Sequence, residues 1–339
     1  MSSPYRGLPP EAFWRTGVAS TTPETIQGLY KKKFEIGRSD QIATAGSCFA
    51  QHIARRMRAV GYSVIDMEPP PPGLKTELAQ QYGYELYSAR YGNIYTARQL
   101  YQLIRESINR WNPADAIWSK GDRWVDALRP NVEPRGLASM DEVRAHREIH
   151  LGQIRTMLKR ADVFVFTLGL TEAWIHTESG TVYPTAPGTI AGTFDPAIHS
   201  FHNFRFEEVL SDLMAIRRLL LYYNANSRML LTVSPVPLAA TASHQHVLPA
   251  TIMSKSILRA AAGEMESHFS NVDYFPSYEV ISSPFSQGRF YEDDARNVRE
   301  EGVSVVMEKF FSEHPPFSVE KKRSAAAVVC EEALLEAFA

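Results

Sequence analysis

The chain has 339 residues, 44% apolar and 22% charged, with a formal charge of −2. That length suffices for a sizeable core in roughly one to three domains, and the near-neutral charge gives no basis for nucleic-acid binding. Its two cysteines, Cys48 and Cys330, form neither a disulfide framework nor a metal-ligand spacing. No apolar run reaches the roughly 20 residues of a membrane span, and the N-terminus lacks the basic-then-apolar layout of a secretion signal. Composition therefore points to a soluble, cytoplasmic protein.

Residues 1–40, rich in Pro, Thr, aromatic and charged side chains, read as an arm laid over a core. The first strand is Gln41 to Ala45, ending at Gly46. Ala50, Ile53, Ala54, Met57 and Val60 then recur at helical spacing up to Gly61, and Tyr62 to Asp66 reads as the next strand. This β-α-β order favours a parallel sheet with right-handed crossovers. Pro69 to Pro72 and Gly73 break the chain into a loop that opens an insertion over about 68–140, within which Ala97 to Ile108 is a helix. A helix follows over Asp141 to Arg160, then a buried strand over Asp162 to Thr167. Residues 177–203 read as a long loop, and long loops inside compact domains are often functional. A helix at 205–223, a strand at Met229 to Val233, a helix at about 251–268, a strand at Val272 to Phe275 and a helix at about 299–312 complete a domain spanning 41–315. The tail, 316–339, reads as peripheral, with Cys330 inert. The runs Arg55-Arg56, Lys31 to Lys33 and Lys321 to Arg323 read as solvated faces.

In open parallel sheets, function collects beyond the carboxyl ends of the strands. Gly46-Ser47-Cys48 is the sharpest such end. The glycine permits a tight turn, and a nucleophile follows at a helix N-terminus, where main-chain N–H groups lower a thiol pKa and stabilise an oxyanion. The plain alternative is that Ser47 caps the helix and Cys48 packs in the core. Aromatic residues near 111–124 would suit either a sugar platform or core packing.

Gly46-Ser47-Cys48-Phe49-Ala50 matches the motif that names the GSCFA domain family, which resembles the SGNH (GDSL-type) hydrolases. Six further stretches, in order, resemble the same family: 91–96, 167–174, 187–188, 201–203, 232–236 and 274–279. The resemblance implies a three-layer α/β/α fold with a mainly parallel sheet, SGNH- or flavodoxin-like, carrying inserted helices and loops. It implies acyl chemistry, as an acyltransferase or esterase, on a small-molecule or carbohydrate-like acceptor. No cofactor is required, and acyl-CoA is one donor that such chemistry admits, though no sequence feature demands it.

Laid on the SGNH nucleophile block, Cys48 takes the nucleophile position, and a register shifted by one gives Ser47. A thiolate is the better nucleophile near neutral pH, which favours Cys48. Gly92 and Asn93 match the glycine and asparagine of the oxyanion hole. The third block aligns with Gly169 to Glu172, so Thr171 replaces its asparagine, with Glu172 beside it. The final Asp-x-x-His block falls on Asp294 to Asn297, placing an amide where the general base belongs, and an amide cannot shuttle a proton at neutral pH. His246 or His244, and His199 or His202, are the replacements the sequence offers, with Glu172 and Asp294 as assisting acids. Loss of the histidine leaves two rival readings open: a degenerate member that binds a ligand or protein partner, or a biosynthetic enzyme with a repurposed pocket.

Overall fold

A computed structural model describes residues 3–318, 328 and 330–338. Its centre is a four-stranded parallel sheet of β1 (Ile42–Gly46), β4 (Val163–Leu168), β8 (Arg228–Val233) and β9 (Val272–Tyr274), in the order β1-β4-β8-β9. These strands are short and apolar on both faces, as parallel strands covered on two sides must be. Alternation along β4 sends Phe164, Phe166 and Leu168 to one layer and Val163 and Val165 to the other. The first layer contains α3 (Ala97–Ser107), α4 (Met140–Arg160), α5 (Phe206–Tyr223) and α6 (Val247–His268). The second contains α1 (Phe49–Ala59), α7 (Ser277–Ser282) and α8 (Glu300–Glu313), with Tyr30 and Ile36 of the N-terminal arm. The protein is thus a three-layer α/β/α structure, as the motifs imply.

Local chemistry starts the helices where the pattern places them. Thr96 Oγ1 accepts the N–H of Gln99 at 3.1 Å to open α3, and Ser139 Oγ accepts that of Glu142 at 3.2 Å to open α4.

Three segments differ from expectation. Tyr62 to Asp66 forms no strand, only a parallel bridge from Val64 to Ile42. Beyond that bridge the outer edge of β1 is completed by a loop: Ser88 Oγ accepts the N–H of Thr44 at 2.9 Å, and the Gly46 carbonyl accepts that of Ile94 at 2.9 Å. That second bond lays residues 92–95 beside the elbow. Within the insertion, besides the short helix α2 (Thr76–Gln81), β2 (Ile117–Lys120) and β3 (Arg123–Asp126) form a hairpin. The expected long loop of 177–203 remains irregular over 184–198, but β6 (Val182–Tyr183) and β7 (His199–Asn203) within it flank β5 (Glu172–His176) in an antiparallel sheet ordered β6-β5-β7. Among the described residues no helix is long and apolar enough to cross a membrane.

Candidate active site

The elbow is set by Gly46, whose φ of +144° is one that side-chain-bearing residues rarely adopt. A Cβ there would overlap the carbonyl oxygen of Thr167 on β4. The chain turns directly from β1 into α1, leaving Cys48 as its N-cap, 4% exposed. Ser47 is also buried, its main-chain N–H bonded to the Thr167 carbonyl at 3.2 Å and its own carbonyl accepting the Tyr87 hydroxyl at 3.1 Å.

Asn93 lies beside the elbow. Its Oδ1 accepts from the Tyr87 hydroxyl and, at 3.4 Å, from Gln51 Nε2, which turns its amide nitrogen toward other acceptors. One of these is the carboxylate of Glu331, which takes hydrogen bonds from the Asn93 side chain, the Asn93 main chain and the Asn131 side chain. Gly92 makes room for it, since a Cβ at that position would lie 3.2 Å from Glu331 Oε1. The tail, read as peripheral, is therefore part of the site: Glu331 and Glu332 are 2% and 9% exposed. Cys330, read as inert, is hydrogen-bonded to Cys48 and lies 3.7 Å from Arg296 Nη2. The sequence places these residues beyond any family motif, so nothing local announced them.

This arrangement reverses the expected electrostatics of Cys48. Its thiol is pushed well above the usual range, first by the hydrogen bond with Cys330 and then by burial, and the helix N-terminus does not overcome this. Cys330 moves the other way, because Cys48 donates to it and Arg296 stands beside it. Burial pushes Glu331 and Glu332 each up to about 7. Lys255, on the buried face of α6 with its Nζ 2.6 Å from the Gly169 carbonyl, is pushed down to about 8 by burial and feels the charges of Glu332 and Cys48. A lysine in line with Leu258, Ala262 and Met265 on an apolar helix face is a signal present in the sequence.

The remaining candidates are dispersed. Asp294 Oδ1 accepts the N–H groups of Arg296 and Asn297 at 2.9 Å each, and its Oδ2 accepts Asn297 Nδ2 at 2.6 Å. This Asx turn keeps Asp294 and Asn297 exposed and aims the intervening Arg296 inward, so the residue of this block that reaches the Cys330 thiol is Arg296, not Asn297. His246 is exposed at the start of α6, where its Nδ1 accepts the N–H of Leu248 at 3.1 Å, and His244 is exposed in the preceding turn. His202 pairs with Glu208 at 2.9 Å, and His199 Nδ1 accepts the N–H of Asp195 at 3.1 Å. Thr171 is buried, its Oγ1 bonded to Asn203 Oδ1 at 2.6 Å, and ties β7 to the core. Glu172 accepts the Thr241 hydroxyl at 2.7 Å, and burial raises its pKa. Among the described residues, no three His, Cys, Asp or Glu side chains gather as a metal-binding set.

Next to the tail opens a cavity of 610 Å³, walled by Tyr95, Leu170, Trp174, Tyr183 and Phe201, with Glu172 and Glu332 on its lining. Leu335 and Phe338 of the tail close one side.

The GSCFA family model matches residues 41–310, most of the chain. The chain belongs to the GSCFA family. No curated protein matches it. Among solved structures, it is similar to a protein described as a GDSL-like lipase from Parabacteroides merdae, at 14% identity and a TM-score of 0.34, over 83% of this chain and 98% of that one. It is also similar to one described as a platelet activating factor from Streptococcus pneumonia, at 12% identity and a TM-score of 0.27, over 46% of this chain and 65% of that one. At these identities and scores neither structure bears on the activity of this GSCFA protein.

Proposed function

We propose that this GSCFA protein catalyses acyl transfer, as an acyltransferase or esterase, through a thioester on Cys48. The observation that carries this reading is the Glu331 carboxylate, held by the side-chain amide and main-chain N–H of Asn93, whose neighbour Ile94 bonds the Gly46 carbonyl of the elbow. A carboxylate there stands where the oxygen of a reacting acyl group would lie, facing donors suited to developing negative charge. Lys255 replaces the missing histidine as proton acceptor, since burial brings it close to the working pH and it lies in the field of Cys48.

With the tail withdrawn, the neutral Lys255 amine takes the Cys48 proton as the sulfur attacks the acyl carbonyl. The carbonyl π pair moves onto oxygen, facing Asn93 and the N–H groups that open α1. Collapse expels the alkoxide or thiolate of the donor, which leaves with the proton from Lys255. An acceptor hydroxyl or a water molecule then repeats the sequence on the thioester and frees Cys48. Aromatic cavity walls suit an apolar acyl chain or the C–H face of a sugar-like acceptor. The cycle needs no cofactor, and acyl-CoA fits it as a thiolate-releasing donor.

The test is intact-mass analysis after incubation with acyl-CoA or a p-nitrophenyl ester at pH 8, using the wild type and Glu331→Ala, which empties the oxyanion position. An acyl adduct on Cys48 is expected, lost in Cys48→Ala, with Lys255→Met lowering turnover by about 10²–10⁴-fold. No adduct in either chain, with turnover indifferent to Cys48→Ala, rejects the reading. One observation favours a second reading, ligand binding without turnover: the docked tail holds Cys48 as a neutral thiol. Saturable ester binding without adduct or hydrolysis would support it.

A further inference from the structure

The tail does more at the site than cover it. Glu332 Oε1 accepts the main-chain N–H of Ala239 at 2.8 Å, and its Oε2 lies 3.2 Å from Arg296 Nη2. The Tyr95 hydroxyl receives the Glu332 main-chain N–H at 3.2 Å and so fixes where this side chain starts. Arg296 is 6% exposed, and the carboxylate that pairs with its guanidinium is supplied by the tail rather than by the family domain. A guanidinium taken out of water needs such a partner, because an unpaired buried charge costs several kcal/mol.

The pairing is nevertheless incomplete. Glu332 engages one guanidinium nitrogen, while Arg296 Nε is buried without a partner among the described residues. Guanidinium presents a planar fork that favours two parallel bonds to one carboxylate. A carboxylate that reached both Nε and Nη2 would satisfy Arg296 better than the tail does.

We infer that Arg296 and the Ala239 N–H form a subsite for a carboxylate on the substrate, occupied here by Glu332 as an internal competitor. The identity of the reacting group rests on the acyl-transfer reading; the subsite adds the acyl class, one that carries a second carboxylate, as in the half-esters or half-thioesters of small dicarboxylic acids. Glu331 marks the place of the reacting carbonyl and Glu332 the place of the distal charge. Binding of such a substrate displaces both glutamates and thereby uncovers Cys48.

Iodoacetate and iodoacetamide test this, being near-isosteric alkylating reagents of which only the first is anionic. The full chain is treated with each as wild type, Glu332→Ala and Arg296→Gln/Glu332→Ala, and modification of Cys48 is read by peptide mapping, which separates it from Cys330. Glu332→Ala is expected to accelerate iodoacetate at Cys48 at least about tenfold more than iodoacetamide, and the added Arg296→Gln to erase that differential. Equal acceleration of both reagents makes the tail a steric cover only and overturns the subsite; so does no acceleration of either. Should Glu332→Ala fail to fold, Glu332→Ser is read in the same way. No acyl group is transferred in this experiment. A charge preference without acyl adducts would therefore reject acyl transfer and keep the subsite, and adducts without a charge preference would do the reverse.

Discussion

Gly46 does for the elbow what no other residue can, because its left-handed φ and the Thr167 carbonyl together exclude a side chain. Gly46→Ala is expected to cost about 3 kcal/mol or more, from backbone strain and overpacking combined. Urea denaturation followed by circular dichroism reads this as a lowered midpoint at unchanged m-value, and a midpoint within error of wild type would refute it. This glycine was legible, since a strand ending in Gly-Ser-Cys admits few other geometries. Arg296 was not. Counting from Asp294 leads to Asn297, and only the Asx turn, with its three bonds to the Asp294 carboxylate, decides which of the neighbouring residues faces inward. Lys255 lies between these cases: periodicity puts it on the apolar face of α6, yet does not say that the face meets an elbow.

At the scale of elements, strands buried on both sides were readable because short apolar runs bounded by polar turns have few other uses. The β5–β7 sheet was not, since Glu172–His176 and His199–Asn203 carry mixed side chains and owe their pairing to five opposed residues fixed by the backbone. The insertion was visible as a composition change, but its attachment was hidden in charged residues far apart in sequence. Arg147 on α4 donates to both oxygens of Asp126 on β3 at 2.9 and 2.8 Å and to Glu106 Oε1 on α3 at 2.6 Å. Burial alone would raise Asp126, but Arg147 and Arg129 outweigh it and hold the group near 2. Close by, His150 Nδ1 meets Glu68 Oε2 at 2.7 Å. Removing one member strands buried charge, so Arg147→Met is expected to destabilise the fold by about 3–5 kcal/mol. Chemical denaturation measures this; a loss under 1 kcal/mol, the level of an exposed pair, would mean that the network carries little of the attachment.

For the molecule as a whole, the docked tail makes access to the site dependent on pH. Glu331 faces Asn93 and Asn131, while Glu332 faces Arg296, Lys255 and Cys330, and burial raises both carboxyls to about 7. A group whose docked pKa lies above its free value favours docking in the protonated form. The contribution is complete below the ordinary carboxyl pKa near 4.5 and is lost as pH rises through about 7. Cys330, on the same tail, is shifted down to about 5 by Cys48 and Arg296 and so favours docking as pH rises. In Cys330→Ser, which removes that opposing titration, hydrogen-exchange protection of the 330–338 amides, corrected for intrinsic exchange, should fall at least about tenfold between about pH 5 and pH 8. Protection that stays flat across this range would show that the two carboxyls do not govern docking.

The partner of β1 is β4, with Ile42 opposite Val163, more than a hundred residues further along the chain. Pairings of that span form late, because the intervening loop must close before any bond rewards it. At a synthesis rate of about 5–20 residues per second, β1 waits on the order of ten seconds for the strand that holds it. Throughout that interval the Thr167 carbonyl that receives Ser47 does not yet exist, and Cys48 stands as an unsheltered thiol on an unpaired edge. A thiol that is buried in the finished protein is therefore exposed for a long stretch of its making, which gives chaperones and cellular reductants a specific moment at which to act on this chain.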